Sequence, residues 1–453
     1  MFHSLVIALQ SVTPVPKDLP LPLPLPEWLL VAILVISFLV HILFVNLMVG
    51  GSLLTLWSQI KGLKNKEYDI LAHEIATTIT VNKSIAVVMG IAPLLSINVL
   101  YTVYFYSANA LTGLMWIAVV PLVTVAFLLT YLHKYTWKLL ENNKPVHISI
   151  LAVAVIIFLF IPFIFLTNIN LMLFPEKWAL VKGFFSAMTL PNVFPRYFHF
   201  IFASLSITGL FLHWYMGRKN YPFETIFPTF TRYELKKKGY SLALVASVIQ
   251  FLIGPLVLLT LPSKGLGWNL VAVIFTGAAI ALPAMWMMWK GIQGDESTID
   301  KDFKKVLILM TITVVFMGSG RQIYRSNALE KHRELVRLKT EEFQQIKKDA
   351  IAKSKEAKAQ ESSANLTEAQ KGENVFKQNC TACHKPDVKL VGPPVIEMAS
   401  IYKGNKAGLQ SWIKKPGKKR ADAPQMPGFP QLKQEELDQV SEYILTIKPV
   451  GCN

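Results

Sequence analysis

The chain has 453 residues, of which 52% are hydrophobic and 17% charged, a balance outside that of soluble globular proteins. Its net charge of +17 collects in short segments between apolar runs and in a tail after about residue 320, which marks membrane topology rather than a nucleic-acid-binding surface. Three cysteines are too few for a disulfide framework, and Cys452 is left over as a terminal thiol.

In chain order, residues 1–26 form a lead-in. Its "MFHSLVIALQ" lacks the charged n-region and clear cleavage site of a signal peptide. The prolines of "LPLPLPLPEW" disfavour regular helix and predict an exposed, extended approach to the first span. Apolar stretches long enough to cross a bilayer, needing roughly 20 residues each, run over 28–58, 79–105, 111–136, 147–174, 197–217, 241–262, 267–290 and 303–322. They predict an all-α, polytopic membrane helix bundle of about eight spans over 27–325. The last span has a short uncharged core, with Lys304, Lys305 and Arg321 snorkelling at its ends.

The segments after the first, third, fifth and seventh spans are basic, carrying Lys61, Lys64 and Lys66, then Lys134, Lys138 and Lys144, then Arg218, Lys219, Arg232, Lys236, Lys237 and Lys238, and then Lys290 and Lys301. The alternate segments are poorer: "YSANALTG" has no basic residue, Lys177, Lys182 and Arg196 precede the fifth span, and "LPSKGLG" has Lys264 alone. By the positive-inside rule the first set is cytoplasmic and both termini lie outside. Residues 326–365 then mix Lys, Arg and Glu as a solvated helical linker to a C-terminal domain at 366–453.

That domain carries "QNCTACHKPD". In C-x-x-C-H two thiols add across the vinyl groups of a haem and the adjacent histidine ligates the iron, and Cys380, Cys383 and His384 have that spacing. Zinc would want a second ligand pair, and the remaining His and Cys offer none at suitable spacing. The surroundings, "LTEAQKGENVFKQNCTACH" with Gly372 and Phe376, "VGPPV", and "MPGFPQLKQEELDQVSEYILTI", resemble class I cytochrome c over 366–449. The resemblance implies a small helical domain with one covalent haem c and with His384 and Met426 as axial iron ligands. A thioether opposite histidine raises the haem potential. Met398, in "IEMASIY", is the competing methionine and reads as packing. The basic "KKPGKKR" at 414–420 is either a docking patch for an acidic redox partner or an ordinary solvated loop.

Ionisable residues within spans are costly and mark function. His41 lies in the first span, and His199 and His213 in the fifth, fourteen residues apart on one helix face and separated by about 21 Å. That pair has the spacing to hold two stacked haems. His73, His133 and His147 fall near cytoplasmic ends and read as interfacial; the same spacing of His133 and His147 is broken by "ENNKP". "VHILFVNLMVGG" around His41, "YFHFIFASLSITGLFLHWYMG" around His199, and "GSGRQIYR" at the eighth span resemble, in that order, motifs of cytochrome bd subunit I. The resemblance covers 27–325 and implies one or two b-type haems, with His41 and His199 as iron ligands and His213 as a further candidate. For each the alternative is a buried, hydrogen-bonded histidine. Arg321 is either a haem-propionate partner or an interfacial anchor.

The departures from that family are specific. Thr311 stands where it has a glutamate ligand, its paired glutamates of the third span have no counterpart, its axial methionine at the start of span seven is missing, and its quinol-contacting loop has shrunk to "LPSKGLG". The expectation is therefore an electron-transfer subunit of a bacterial inner membrane rather than an oxygen reductase. It would pass electrons between a membrane donor, quinol or a partner subunit, and periplasmic carriers such as a soluble cytochrome c. A second, bd-like membrane subunit is an expected partner. The alternatives are a terminal oxidase subunit, and a tethered cytochrome c on a haem-free scaffold.

Overall fold

The computed structural model describes residues 23–363, 367–418 and 424–447. Most of the lead-in, Lys419 and Arg420 of the basic segment, and Cys452 lie outside the described residues. No strand occurs among the described residues.

Helix α1 (Glu27–Gly62) starts after Pro26, with Glu27 in its first turn and Lys61 in its last, matching the helix dipole at both ends. Asn65 caps α2 (Lys66–Leu100) by accepting from the Glu67 N–H at 3.0 Å. At Tyr101 the chain turns by 110° into α3 (Thr102–Thr112), which ends at Gly113 with φ +52°. Helices α4 (Leu114–Tyr135), α5 (Lys144–Leu171), α6 (Val193–Met216), α7 (Arg232–Leu259), α8 (Trp268–Gln293) and α9 (Phe303–Ser363) follow. A reciprocal capping box of Thr231 and Glu234 starts α7 sharply after a basic loop. Among the described residues, seven helices are long and apolar enough to cross a membrane, and eight if the bent α2–α3 pair counts as one span.

Without a hydrophobic drive between helices in lipid, close approach depends on small residues. A Cβ at Gly50 of α1 would lie 2.2 Å from the Ser204 carbonyl of α6, and one at Gly209 of α6 would lie 2.5 Å from the Gly239 carbonyl of α7. Asn46 of α1 accepts from the Ser204 hydroxyl at 3.0 Å, and Ser206 of α6 meets Ser247 of α7 at 3.0 Å. Asn46 faces Ser204 while Gly50 faces both Ser204 and Thr208, so α1 and α6 run in the same direction.

Ion pairs mark the two ends of the bundle. At one end Glu27 pairs with Arg333, and Glu176 with Lys264 at 2.9 Å and His332 at 3.6 Å. At the other, Asp69 pairs with Lys144 at 2.6 Å and Asp300 with Lys236 at 2.5 Å. There the buried Glu67 accepts from the backbone N–H groups of Thr229 and Phe230 at 3.2 and 3.1 Å, holding the loop before α7.

The chain divides into compact units at 1–340 and 341–453. The second contains α10 (Glu368–Asn379), α11 (Val395–Ile401), α12 (Lys406–Lys414) and α13 (Gln434–Thr446). Its core joins Phe376, Val395, Leu409, Ile413, Leu437, Val440 and Ile444. Gly372 lets α10 cross α13, since a Cβ there would lie 2.0 Å from the Gln439 carbonyl.

Candidate functional site

In the second unit α10 ends at Cys380, so the C-x-x-C-H segment leaves the helix as a tight turn, with the Cys383 and His384 N–H groups donating to the Cys380 carbonyl at 3.1 and 2.9 Å. Both thiols are free. Burial, reinforced by the neighbouring Cys383, pushes the Cys380 thiol up to about 11, so it stays protonated at neutral pH. His384 is buried, and its Nδ1 donates to the Pro393 carbonyl at 2.8 Å. That bond fixes the tautomer and leaves Nε2 with the lone pair, the arrangement of an iron-ligating imidazole. Gly392 makes the closure possible: its N–H donates to the Cys383 carbonyl at 2.8 Å, and a Cβ there would lie 2.2 Å from the His384 ring.

Met426 is half-buried in an extended loop. The loop is tied to the end of α12 on both sides of it, by Gln425 donating to the Pro416 carbonyl at 3.3 Å and by the Phe429 N–H donating to Ile413 at 3.0 Å. Met398 instead packs on α11 against the domain core. Lys414, Lys415 and Lys418 are exposed.

In the first unit His41, His199 and His213 do not form one cluster. His41 of α1 donates from Nδ1 to the Ala86 carbonyl of α2 at 3.0 Å, which leaves Nε2 with the lone pair. Gly90 makes room for the ring, since a Cβ there would lie 2.9 Å from it. His199 of α6 has a buried Nδ1 with no hydrogen-bond partner. Each ring lies five residues, about 7.5 Å of helix rise, from the Asn46–Ser204 contact on parallel helices, so they sit at the same depth.

His213 is different. Its Nδ1 meets the Lys236 carbonyl at 3.1 Å, its Nε2 meets Asp300 at 3.1 Å, and the ring is stacked between Tyr240 and Phe303 at centroid distances of 3.9 and 4.6 Å. Both nitrogens are spent on protein partners, so this arrangement offers none to an iron. His199 and His213, alike in spacing, thus differ in surroundings: one has an unpartnered ring nitrogen and the other has both nitrogens in hydrogen bonds.

His133 and His147 lie near the adjoining ends of α4 and α5, and both are buried in protein contacts, at 1% and 0% exposure. The α4–α5 turn brings their rings into a stack at 4.0 Å, with Gln59 of α1 bonded to both. His73 stays 45% exposed, in edge contact with Trp137.

Arg321 does not snorkel outward. Its guanidinium lies over the Phe38 ring of α1 at 4.9 Å, and its Nε is buried without a partner. Arg196, read from the sequence as a loop charge, lies in the first turn of α6 with Nη1 buried and unpartnered. It was findable as an ionisable residue three positions before His199 on the same helix face. Arg325, also missed, is 7% exposed, donates to Gln322 at 2.9 Å and faces the Tyr101 ring at 5.3 Å.

The family model described as Cytochrome c matches residues 369–448. No curated protein matches the chain. The C-terminal unit therefore contains a cytochrome c domain, in which Cys380 and Cys383 are present; the domain implies a covalent c-type haem and supports an electron-transfer role. Joined to at least seven apolar, span-length helices, it belongs to a multi-pass membrane protein.

Proposed function

We propose that the chain is a membrane-bound electron-transfer subunit. It would carry one haem c in the C-terminal domain and b-type haem in the helix bundle, and link a membrane donor, quinol or a partner subunit, to soluble carriers outside. The observation that carries the reading is His384, whose Nδ1 is anchored on Pro393 so that Nε2 is presented beside two free thiols. Cys380 and Cys383 would form the thioether links, and Met426 would be the second axial ligand. Haem supplies one-electron chemistry once bound, while these residues hold it and set its potential.

For the bundle, the unpartnered His199 Nδ1 and the oriented His41 support imidazole ligation of b-type haem, and the inward Arg321 supports a propionate contact. The basic segments support a cytochrome domain on the periplasmic face of a bacterial inner membrane. Thr311, whose exposed hydroxyl donates to its own helix at Leu307, supplies no carboxylate ligand, which favours electron transfer over oxygen reduction. Both the periplasmic carrier and a bd-like second subunit remain part of this proposed setting.

A pyridine haemochrome spectrum of the purified chain tests the reading through its b-to-c ratio, followed by CO addition to the reduced protein. Haem c alone would favour a tethered cytochrome on a haem-free scaffold, and a CO-reactive membrane haem would favour an oxidase.

A further inference from the structure

Three arginines converge near the Glu27 end of the bundle: Arg196 on α6, and Arg321 and Arg325 on α9. The charges of Arg196 and Arg325 both bear on Arg321, and they bear on each other. Among the described residues, no carboxylate lies within ion-pair distance of any of them. Arg196 Nη1 and Arg321 Nε are buried with nothing to donate to. A guanidinium cannot escape this cost by losing its proton, and like charges gathered in apolar surroundings need a counter-anion. The described residues supply none, which makes the cluster a candidate site for an anionic ligand.

We propose that Arg196, Arg321 and Arg325 form one oxyanion-binding site, and that its ligand is the pair of propionate carboxylates of a haem held through His199. This rests on the membrane-haem reading above. Depth is the reason to prefer haem carboxylates over a lipid phosphate. Arg196 precedes His199 by three residues on α6, and Phe38, which lies under Arg321, precedes His41 by three on α1. Both guanidiniums thus belong to the helical turn next to the imidazoles, about 4.5 Å along the axes. Arg325 is held ready by a relay in which it donates to Gln322, and Gln322 donates to the Tyr101 hydroxyl at 2.8 Å.

The experiment compares the full-length protein with Arg196→Gln and Arg325→Gln, and with the charge-keeping Arg196→Lys and Arg325→Lys. It reads the b-to-c haem ratio and the membrane-haem midpoint by redox titration, with haem c content reporting intact folding. Removing a positive charge beside the haem favours its oxidised form. The Gln variants are therefore expected to lower the midpoint or lose b haem while keeping haem c, and the Lys variants to stay closer to wild type. Wild type with b haem, and Gln variants with unchanged ratio and midpoint, would overturn this site and leave the membrane-haem reading standing. Wild type without b haem would overturn both. Native mass spectrometry showing a phospholipid retained by wild type and lost in Arg196→Gln would assign the site to a lipid phosphate instead.

Discussion

His133 and His147 lie ring on ring at 4.0 Å with their planes 13° apart, although they belong to different helices, α4 and α5. His147 Nε2 donates to the His133 carbonyl at 2.7 Å, so its Nδ1 accepts, from Gln59 Nε2 at 2.7 Å. The same amide turns its oxygen to His133 Nε2 at 3.0 Å. One glutamine on α1 thereby fixes the tautomers of two histidines on a neighbouring hairpin. Gln59→Leu would remove the partner of the buried His147 Nδ1 and a hydrogen bond to His133, at about 1–3 kcal/mol in total. Denaturant unfolding of the detergent-solubilised protein should show the loss with haem c content unchanged; undiminished stability would contradict the network.

His213 is satisfied by Lys236 and Asp300, so its replacement should not release a membrane haem. His213→Phe is expected to keep the wild-type b-to-c ratio while costing about 0.5–1.5 kcal/mol for each hydrogen bond lost, since Asp300 keeps Lys236 and solvent as partners. His199→Leu should lower the ratio. Equal loss of b haem in both variants would restore His213 as a ligand.

Gly392 is the position where haem c ligation meets a backbone constraint. Its N–H is tied to Cys383, and an added methyl would meet the His384 ring, which must then swing away. Gly392→Ala should retain covalent haem, because both thiols remain, but show a larger high-spin fraction in its optical spectrum. An unaltered low-spin spectrum would count against His384 as the axial ligand in this geometry.

Glu176 lies in the loop between α5 and α6, where Lys264 and His332 converge on it. Partial burial works against ionisation, but the hydrogen bonds from His332 and Lys264 outweigh it and hold the carboxyl at about 2, against an ordinary value of 4.5. A depressed carboxylate stabilises the fold above its ordinary value, and that contribution is lost as pH falls through the folded one. Glu176→Gln should therefore melt slightly below wild type at pH 7, and the gap should close as pH falls from about 4.5 toward 2. A gap that does not change with pH would remove the ion pairs as its cause.

Much of the plan is legible without coordinates. Eight apolar runs are a bulk solvation property of consecutive residues, so they mark spans whatever their neighbours. The C-x-x-C-H motif keeps its thiols and imidazole together by covalent spacing alone, and Phe376 and Gly372 fall at the core and helix crossing of that domain. What the sequence could not decide is which buried polar groups meet. A histidine in a span reads alike whether it is spent, as His213 is on Lys236 and Asp300, or has a bare nitrogen, as His199 does. Arg196 reads as a loop charge, yet the first turn of α6 turns it inward. Spacing suggested that His133 and His147 were unrelated, and the α4–α5 turn stacked them. Hydropathy and covalent motifs are local and additive along a chain. The pairing of donors, acceptors and charges depends on side chains from distant helices, and that only the packing of the bundle determines.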